Sequence, residues 1–284
     1  NKNGVATCYG GRTQTWMQFR DRVARLAGGL LNLGVQRGDR VAIVSLNSDR
    51  YLEYLYGVPW AGAAVNPVNI RLAPPEIAYT LNDSRSKVLL VDDTSAALLP
   101  ALRPHLESVE HFIFIGEGTV PEGCIDYETL LRSSVPVEDA NVGGHELAGL
   151  FYTGGTTGRS KGVMLSHDNL VFNAVNVVAE MGYDTKTVYM HAGPMFHLAD
   201  MASTFAVTLA AGTHAIVPRF DVSAVLGFIE QHAVTHTLLV PTMINMLATS
   251  GRIQDFDVSS LKRMLYGASP MPEAVLVNAM AQMP

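Results

Sequence analysis

The sequence predicts an α/β protein with largely parallel sheets. Short runs rich in β-branched residues alternate with amphipathic helical runs along nearly the whole chain, which implies right-handed βαβ units. No fixed-period repeat or low-complexity tract interrupts that rhythm. The 284 residues, 48% of them hydrophobic, suffice for the core of one large or two modest domains.

The first clear element is a helix from Thr15, where Gln18 three residues on completes a capping pattern. Phe19, Val23, Leu26, Leu30 and Leu33 step by four and three along one face, and Gly34 ends it. "RVAIVSL" (40–46) reads as a buried strand. The pattern then predicts a helix near 51–61, a strand at 63–68, a helix from Pro74, a strand at 87–91, a helix over 95–106 and a strand at 111–115. Residues 121–144 read as a connector with few apolar anchors. Beyond it come a strand at 147–152, a strand around 162–165, and a helix over 168–181 capped by Ser166. The remaining expectations are strands at 187–192, 213–217, 235–240 and 263–266, with helices at 201–211, 222–232 and 242–250. A helix-like run closes the chain.

Composition narrows the function. The net charge is −6 and the basic residues are dispersed, which argues against nucleic acid as the main partner. Cys8 and Cys124 lie far apart, which fits a reducing compartment such as the cytoplasm and leaves no disulfide framework or cysteine-based zinc site. The histidines besides His197 show no metal-like spacing with each other or with carboxylates, so no protein metal ligands are assigned. The most apolar stretch, residues 201–212, is shorter than the roughly 20 residues a membrane span needs. Oligomeric state is not legible. With no initiator methionine, the chain is expected to be part of a longer protein.

"YTGGTTGRSKGV" (152–163) concentrates glycine, threonine and one lysine. It is not a Walker loop: Arg159 and Ser160 separate Gly158 from Lys161, and the lysine is followed by a strand rather than a helix. Its chemistry still suits phosphate. Gly154, Gly155 and Gly158 can adopt positive φ, so that successive N–H groups converge on an anion. Thr153, Thr156 and Thr157 add hydroxyls, and Lys161 brings a point charge for a polyphosphate. A polar hairpin without a ligand is the plainer alternative.

That stretch resembles the signature loop of the adenylate-forming superfamily, which includes acyl-CoA synthetases, nonribosomal peptide adenylation domains and luciferases. It departs from the usual hydrophobic-T-S-G-T-T-G-x-P-K-G-V pattern at Gly154 and Ser160. Further stretches resemble the family in colinear order: "GGRTQTWMQFRDRVARLAGGLLNLGVQRGDRVAI", "PMFHLADM" (194–201), "LVPTMINML" (239–247) and "LYGASPMP" (265–272). The resemblance implies two stacked, mainly parallel sheet subdomains of the family's N-terminal domain. Residues 46–184 would form the first sheet with the glycine loop, and 1–45 plus 185–284 the second.

The resemblance also implies a chemistry. A carboxylate attacks the α-phosphorus of ATP, and coenzyme A thiolate then takes the acyl group from the adenylate. Lys161 and the loop would hold the β- and γ-phosphates with Mg²⁺ assisting, and Thr156 or Thr157 would touch phosphate or a metal-bound water. Gly267, Ala268, Ser269 and Pro270 would carry adenine. His197, Thr242 and Met243 would wall the acid pocket. Asp200 is offset from the place where amino-acid-activating relatives hold an α-amino group, which favours simple carboxylic acids, fatty or aryl. A carrier-protein thiol remains an alternative acceptor, and a nucleotide-binding module without turnover the alternative of another class. The family's aromatic-Gly-x-Thr-Glu and Thr-Gly-Asp segments and its C-terminal lysine are not in these 284 residues, so this chain alone is expected to hold nucleotide weakly and not to turn over.

Overall fold

The computed structural model describes residues 2–154 and 159–283. In chain order the strands begin with β1 (Val5–Tyr9), β2 (Arg12–Thr15), β3 (Arg40–Val44), β4 (Ala64–Pro67), β5 (Ser86–Val91), β6 (His111–Phe114) and β7 (Ile125–Asp126). They continue with β8 (Leu147–Thr153), β9 (Lys161–Ser166), β10 (Val188–His191), β11 (Thr213–Ile216), β12 (His236–Leu239) and β13 (Arg263–Tyr266). The helices are α1 (Trp16–Asn32), α2 (Asp49–Trp60), α3 (Pro74–Asp83), α4 (Asp93–Ala96), α5 (Leu99–Leu102) and α6 (Tyr127–Ser133). Then follow α7 (His167–Met181), α8 (Leu198–Leu209), α9 (Val222–His232), α10 (Pro241–Thr249) and α11 (Glu273–Gln282). The chain divides into two compact units, one of residues 18–46 and 50–171, the other of 1–17, 47–49 and 172–284.

The first unit holds a sheet in the order β7-β6-β5-β3-β4-β8-β9, parallel except for the antiparallel β8–β9 hairpin. Along α1, Phe19, Val23, Leu26 and Leu30 are buried as the spacing predicts. Gly34 adopts φ +83°. Its N–H donates to the Leu31 carbonyl and that of Val35 to the Leu30 carbonyl, at 3.0 and 3.1 Å. This is the Schellman closure that favours glycine. Within α1, Gly28 lets the helix backbone approach the carbonyl of Val135, whose oxygen occupies the space a Cβ would need. Ile77, Leu81, Leu89, Val91, Leu99, Leu102 and Phe114 pack into one apolar core. Burial of each such side chain contributes about 1.5–3 kcal/mol.

Two expectations in this unit are corrected. The helix over 95–106 is broken into α4, α5 and a 3₁₀ turn at Arg103–His105. Pro100 and Pro104 lack the N–H a continuous helix requires, so each sits in the first turn of a new segment. The connector at 121–144 contains β7 and α6, anchored by buried Tyr127, Leu130 and Leu131 and capped by the Asp126 carboxylate on the Thr129 N–H.

The second unit holds a sheet in the order β13-β12-β10-β11-β1-β2, parallel apart from β2. The β1–β2 hairpin, absent from the expectations, turns through Gly10 at φ +54° and pairs β1 in parallel with β11. Met190, Ala215, Leu226, Ile229, Ile244, Leu247 and Leu261 belong to one apolar core cluster. The division also differs from the expected one. Residues 18–45 go with the glycine-loop sheet because β3 pairs in parallel with both β4 and β5, and the later boundary falls at 171/172 rather than 184/185.

Candidate active site

In the first unit the glycine loop joins two hydrogen-bonded strands, with Thr153 at the end of β8 paired to Lys161 at the start of β9. Because β8 runs parallel to β4, the loop leaves the carboxyl edge of the sheet, where open α/β sheets receive ligands. Its stems are anchored to α3. The Tyr152 hydroxyl donates to Asp83 Oδ2 at 2.6 Å, and the Arg159 guanidinium lies over the Tyr79 ring, 5.2 Å from its centre. Burial and the Asp83 carboxylate push the Tyr152 pKa upward, so the hydroxyl stays protonated as a donor.

Lys161 is exposed and forms no ion pair among the described residues. Gly154 is exposed, and a Cβ there would meet no atom within 4 Å. Its φ lies outside the positive region that glycine makes available to it. Gly155, Thr156, Thr157 and Gly158 lie outside the described residues.

In the second unit, three expected segments follow the carboxyl ends of β10, β12 and β13, which are consecutive in the sheet. Parallel neighbours are spaced ~4.8 Å apart, so the exits of β10 and β13 lie about 10 Å from each other. The β10 exit carries His197, exposed at the N-cap of α8 with its ring 4.3 Å from that of Phe196. The β12 exit enters α10 through Val240 and Pro241, leaving Thr242 exposed and Met243 half-buried against the core. The β13 exit is the turn at Gly267, Ala268, Ser269 and Pro270, of which the last three are exposed. Ala268 holds φ +66°, a left-handed conformation that costs an alanine roughly 1–2 kcal/mol. Gly267, by contrast, has no protein atom within 4 Å of a notional Cβ. No described residue demands glycine there, and that side of the turn is open.

One cluster was not read from the sequence. His191 Nδ1 lies 2.7 Å from Asp200 Oδ2, and the Tyr189 hydroxyl donates to Asp200 Oδ1 at 3.2 Å. His191 Nε2 lies 2.9 Å from His214 Nδ1, and His214 Nε2 lies 2.9 Å from Thr208 Oγ1. His191, His214 and Asp200 are fully buried. Burial, with the neighbouring His191, holds the His214 pKa well below its usual value. The available signal was period-two placement: β10 and β11 pair Tyr189 with His214, which sets His191 diagonally across on the same face.

An apolar cavity of about 250 Å³ lies between β13, α10 and α11, lined by residues that include Ile244, Tyr266, Met271 and Met280. His197, Thr242 and Met243 do not line it. Among the described residues no group of three His, Cys, Asp or Glu side chains could hold a metal ion. No helix among them is long and apolar enough to cross a membrane.

Comparison with known proteins gives a consistent result. The chain is 36% identical over 267 residues to a long-chain-fatty-acid–CoA ligase of Thermus thermophilus, covering 93% of this chain and 49% of that protein. It is 36% identical over 271 residues to a feruloyl-CoA synthase of an Amycolatopsis species, covering 95% and 52%. It thus spans about half the length of the curated relatives it matches. Among solved structures, the inhibitor-bound N-terminal domain of FACL13 from Mycobacterium tuberculosis superposes with a TM-score of 0.89 at 28% identity, over 98% of this chain and 69% of that one. An anthranilate CoA ligase bound to anthranoyl-AMP gives 0.94 at 24% identity, a likeness of fold, over 99% and 55%. The family description "AMP-binding enzyme" matches residues 1–284, and the chain belongs to that family.

Proposed function

We propose that this chain is the nucleotide- and acid-binding portion of an AMP-forming acyl-CoA synthetase acting on an apolar carboxylic acid, fatty or aryl. The observation that carries the reading is the exit of three site segments from consecutive parallel strands β10, β12 and β13. Membership of the AMP-binding family and relatives that join acids to coenzyme A support it.

In this reading a carboxylate oxygen attacks the α-phosphorus of ATP. The bond to the bridging oxygen breaks, and pyrophosphate leaves. Both reactants are anions, so the chain must neutralise charge and fix alignment. Lys161, Thr153 and the amides of the glycine loop, with Thr156 and Thr157, hold the β- and γ-phosphates and stabilise the leaving group. The turn from Gly267 to Pro270 takes adenine against backbone. His197 orients the acid rather than removing a proton, since the acid is already ionised. The thiolate of coenzyme A then attacks the acyl carbon and releases AMP.

Both Asp200 oxygens are engaged, by Tyr189 and His191, so that carboxylate is not free to hold a substrate ammonium. This supports an acid without an α-amino group. Pyrophosphate exchange by the full-length protein, run with straight-chain acids of graded length, aromatic acids and amino acids, tests the proposal. Exchange with apolar acids, followed by thioester formation on free coenzyme A, is expected. A flat response across the panel would overturn it, and thioester formed only on a carrier-protein thiol would replace the acceptor.

A further inference from the structure

The segment between β10 and α8 carries His197 and is gripped at both ends. Asn47, buried, inserts its amide into that segment. Its Nδ2 donates to the Gly193 carbonyl at 2.7 Å and lies 3.2 Å from the Val217 carbonyl, while its Oδ1 accepts the Met195 N–H at 2.8 Å. At the far end the Asp200 N–H donates to the His197 carbonyl at 3.2 Å, and the Asp200 carboxylate is held by His191 and Tyr189. His191 belongs to both grips, since its carbonyl lies 3.4 Å from Asn47 Nδ2 and its ring binds Asp200.

The Tyr189 O–H donates to Asp200 Oδ1, and in its Nδ1–H tautomer His191 donates to Asp200 Oδ2. The neutral tautomers that satisfy every remaining atom run in one direction. Thr208 O–H donates to His214 Nε2, and His214 Nδ1–H donates to His191 Nε2. A buried, fully satisfied polar chain of this kind contributes more to a unique geometry than to stability, because each charge removed from water has a desolvation cost. Apolar residues could fill the same volume without fixing the start of α8.

We infer that Asn47, His191 and Asp200, with Tyr189, form a positioning brace that sets the N-terminal turn of α8 and thereby the His197 ring that faces the acid. The inference rests on the acid-activation reading for its consequence in catalysis, but its geometry stands independently. The four named residues are positioning residues and touch no substrate.

Tyr189→Phe removes one donor while keeping the ring packing, and Asp200→Asn removes the charge. In the full-length protein the acid KM is expected to rise about tenfold in Asp200→Asn and several-fold in Tyr189→Phe, the scale of a lost hydrogen bond to a charged group. The ATP KM should stay within about twofold. Equal movement of both constants would mark a merely structural role and overturn the brace. Labelled-histidine NMR on the full-length protein without substrates supplies an arm that needs no turnover, with His197 assigned through His197→Gln. Its ring resonances are expected to shift in Tyr189→Phe, whose fold is checked by thermal melting. Unshifted His197 resonances in a folded variant would overturn the inference, whereas a wild-type protein with no exchange on any acid would overturn the function and leave this arm to decide the brace.

Discussion

The Tyr152 hydroxyl donates to Asp83 at 2.6 Å, tying the last turn of α3 to β8 one residue before the strand yields to the glycine loop. A loop that must present amides to an anion gains from rigid stems, because freedom lost on binding opposes affinity. Tyr152→Phe removes that tie and leaves the ring in place. Stability is expected to fall by only about 1 kcal/mol, since the bond is partly exposed. ATP affinity measured by calorimetry should fall several-fold. Unchanged affinity would detach the stem from the loop's function.

Lys161 is exposed and without an ion-pair partner among the described residues, so its charge contributes little to the fold. Lys161→Ala should melt within a degree or two of the parent while ATP binding weakens about tenfold or more, the loss being smaller at high salt. A large fall in melting temperature would assign the lysine to the fold.

Gly267 and Gly28 should separate binding from packing. Alanine at 267 meets no protein atom, so stability should hold while nucleotide affinity drops. Alanine at 28 is driven into the Val135 carbonyl, which is backbone and cannot rotate away. That variant should lose about 1–3 kcal/mol or more in urea unfolding.

The buried histidine chain gives stability a pH dependence of fixed sign. His214 stays neutral in the fold, its pKa held well below the ordinary 6.5, first by burial and then by His191. The unfolded chain takes up that proton near 6.5. Stability is therefore full above about pH 6.5 and declines as the pH drops toward the depressed folded value, by up to about 1.4 kcal/mol per pH unit for one group. His167, His232 and His236 are shifted in the same direction and add to the slope. Urea midpoints at pH 7.5, 6.5 and 5.5 should fall in that order, and His214→Gln should show a shallower slope from a lower starting stability. A parallel slope would remove His214 from the account.

Much of the fold was legible because its signals are local. The four-and-three spacing of Phe19, Val23, Leu26 and Leu30, with Gly34 beyond, specifies α1 and its end without tertiary information. The break at Pro100 and Pro104 was equally local and was overridden by the apolar spacing around it. The β1–β2 hairpin also carried its signal, two short runs of β-branched and polar residues about Gly10 and Gly11. Its place beside β11, 200 residues along the chain, is long-range pairing that no window reports. The same holds for β3, whose sheet is decided by β4 and β5. At the site, motifs placed His197, Thr242 and the 267–270 turn on strand exits, because glycine, proline and polar residues cluster where strands end. The His191–Asp200–His214 chain stayed hidden because its members meet only across β10, β11 and α8.

The most direct measurement is a crystal structure of the protein with ATP bound. The account predicts the β- and γ-phosphate oxygens about 2.7–2.9 Å from the Lys161 ammonium and from main-chain amides between residues 153 and 158. Phosphates bound elsewhere, with Lys161 directed into solvent, would contradict it.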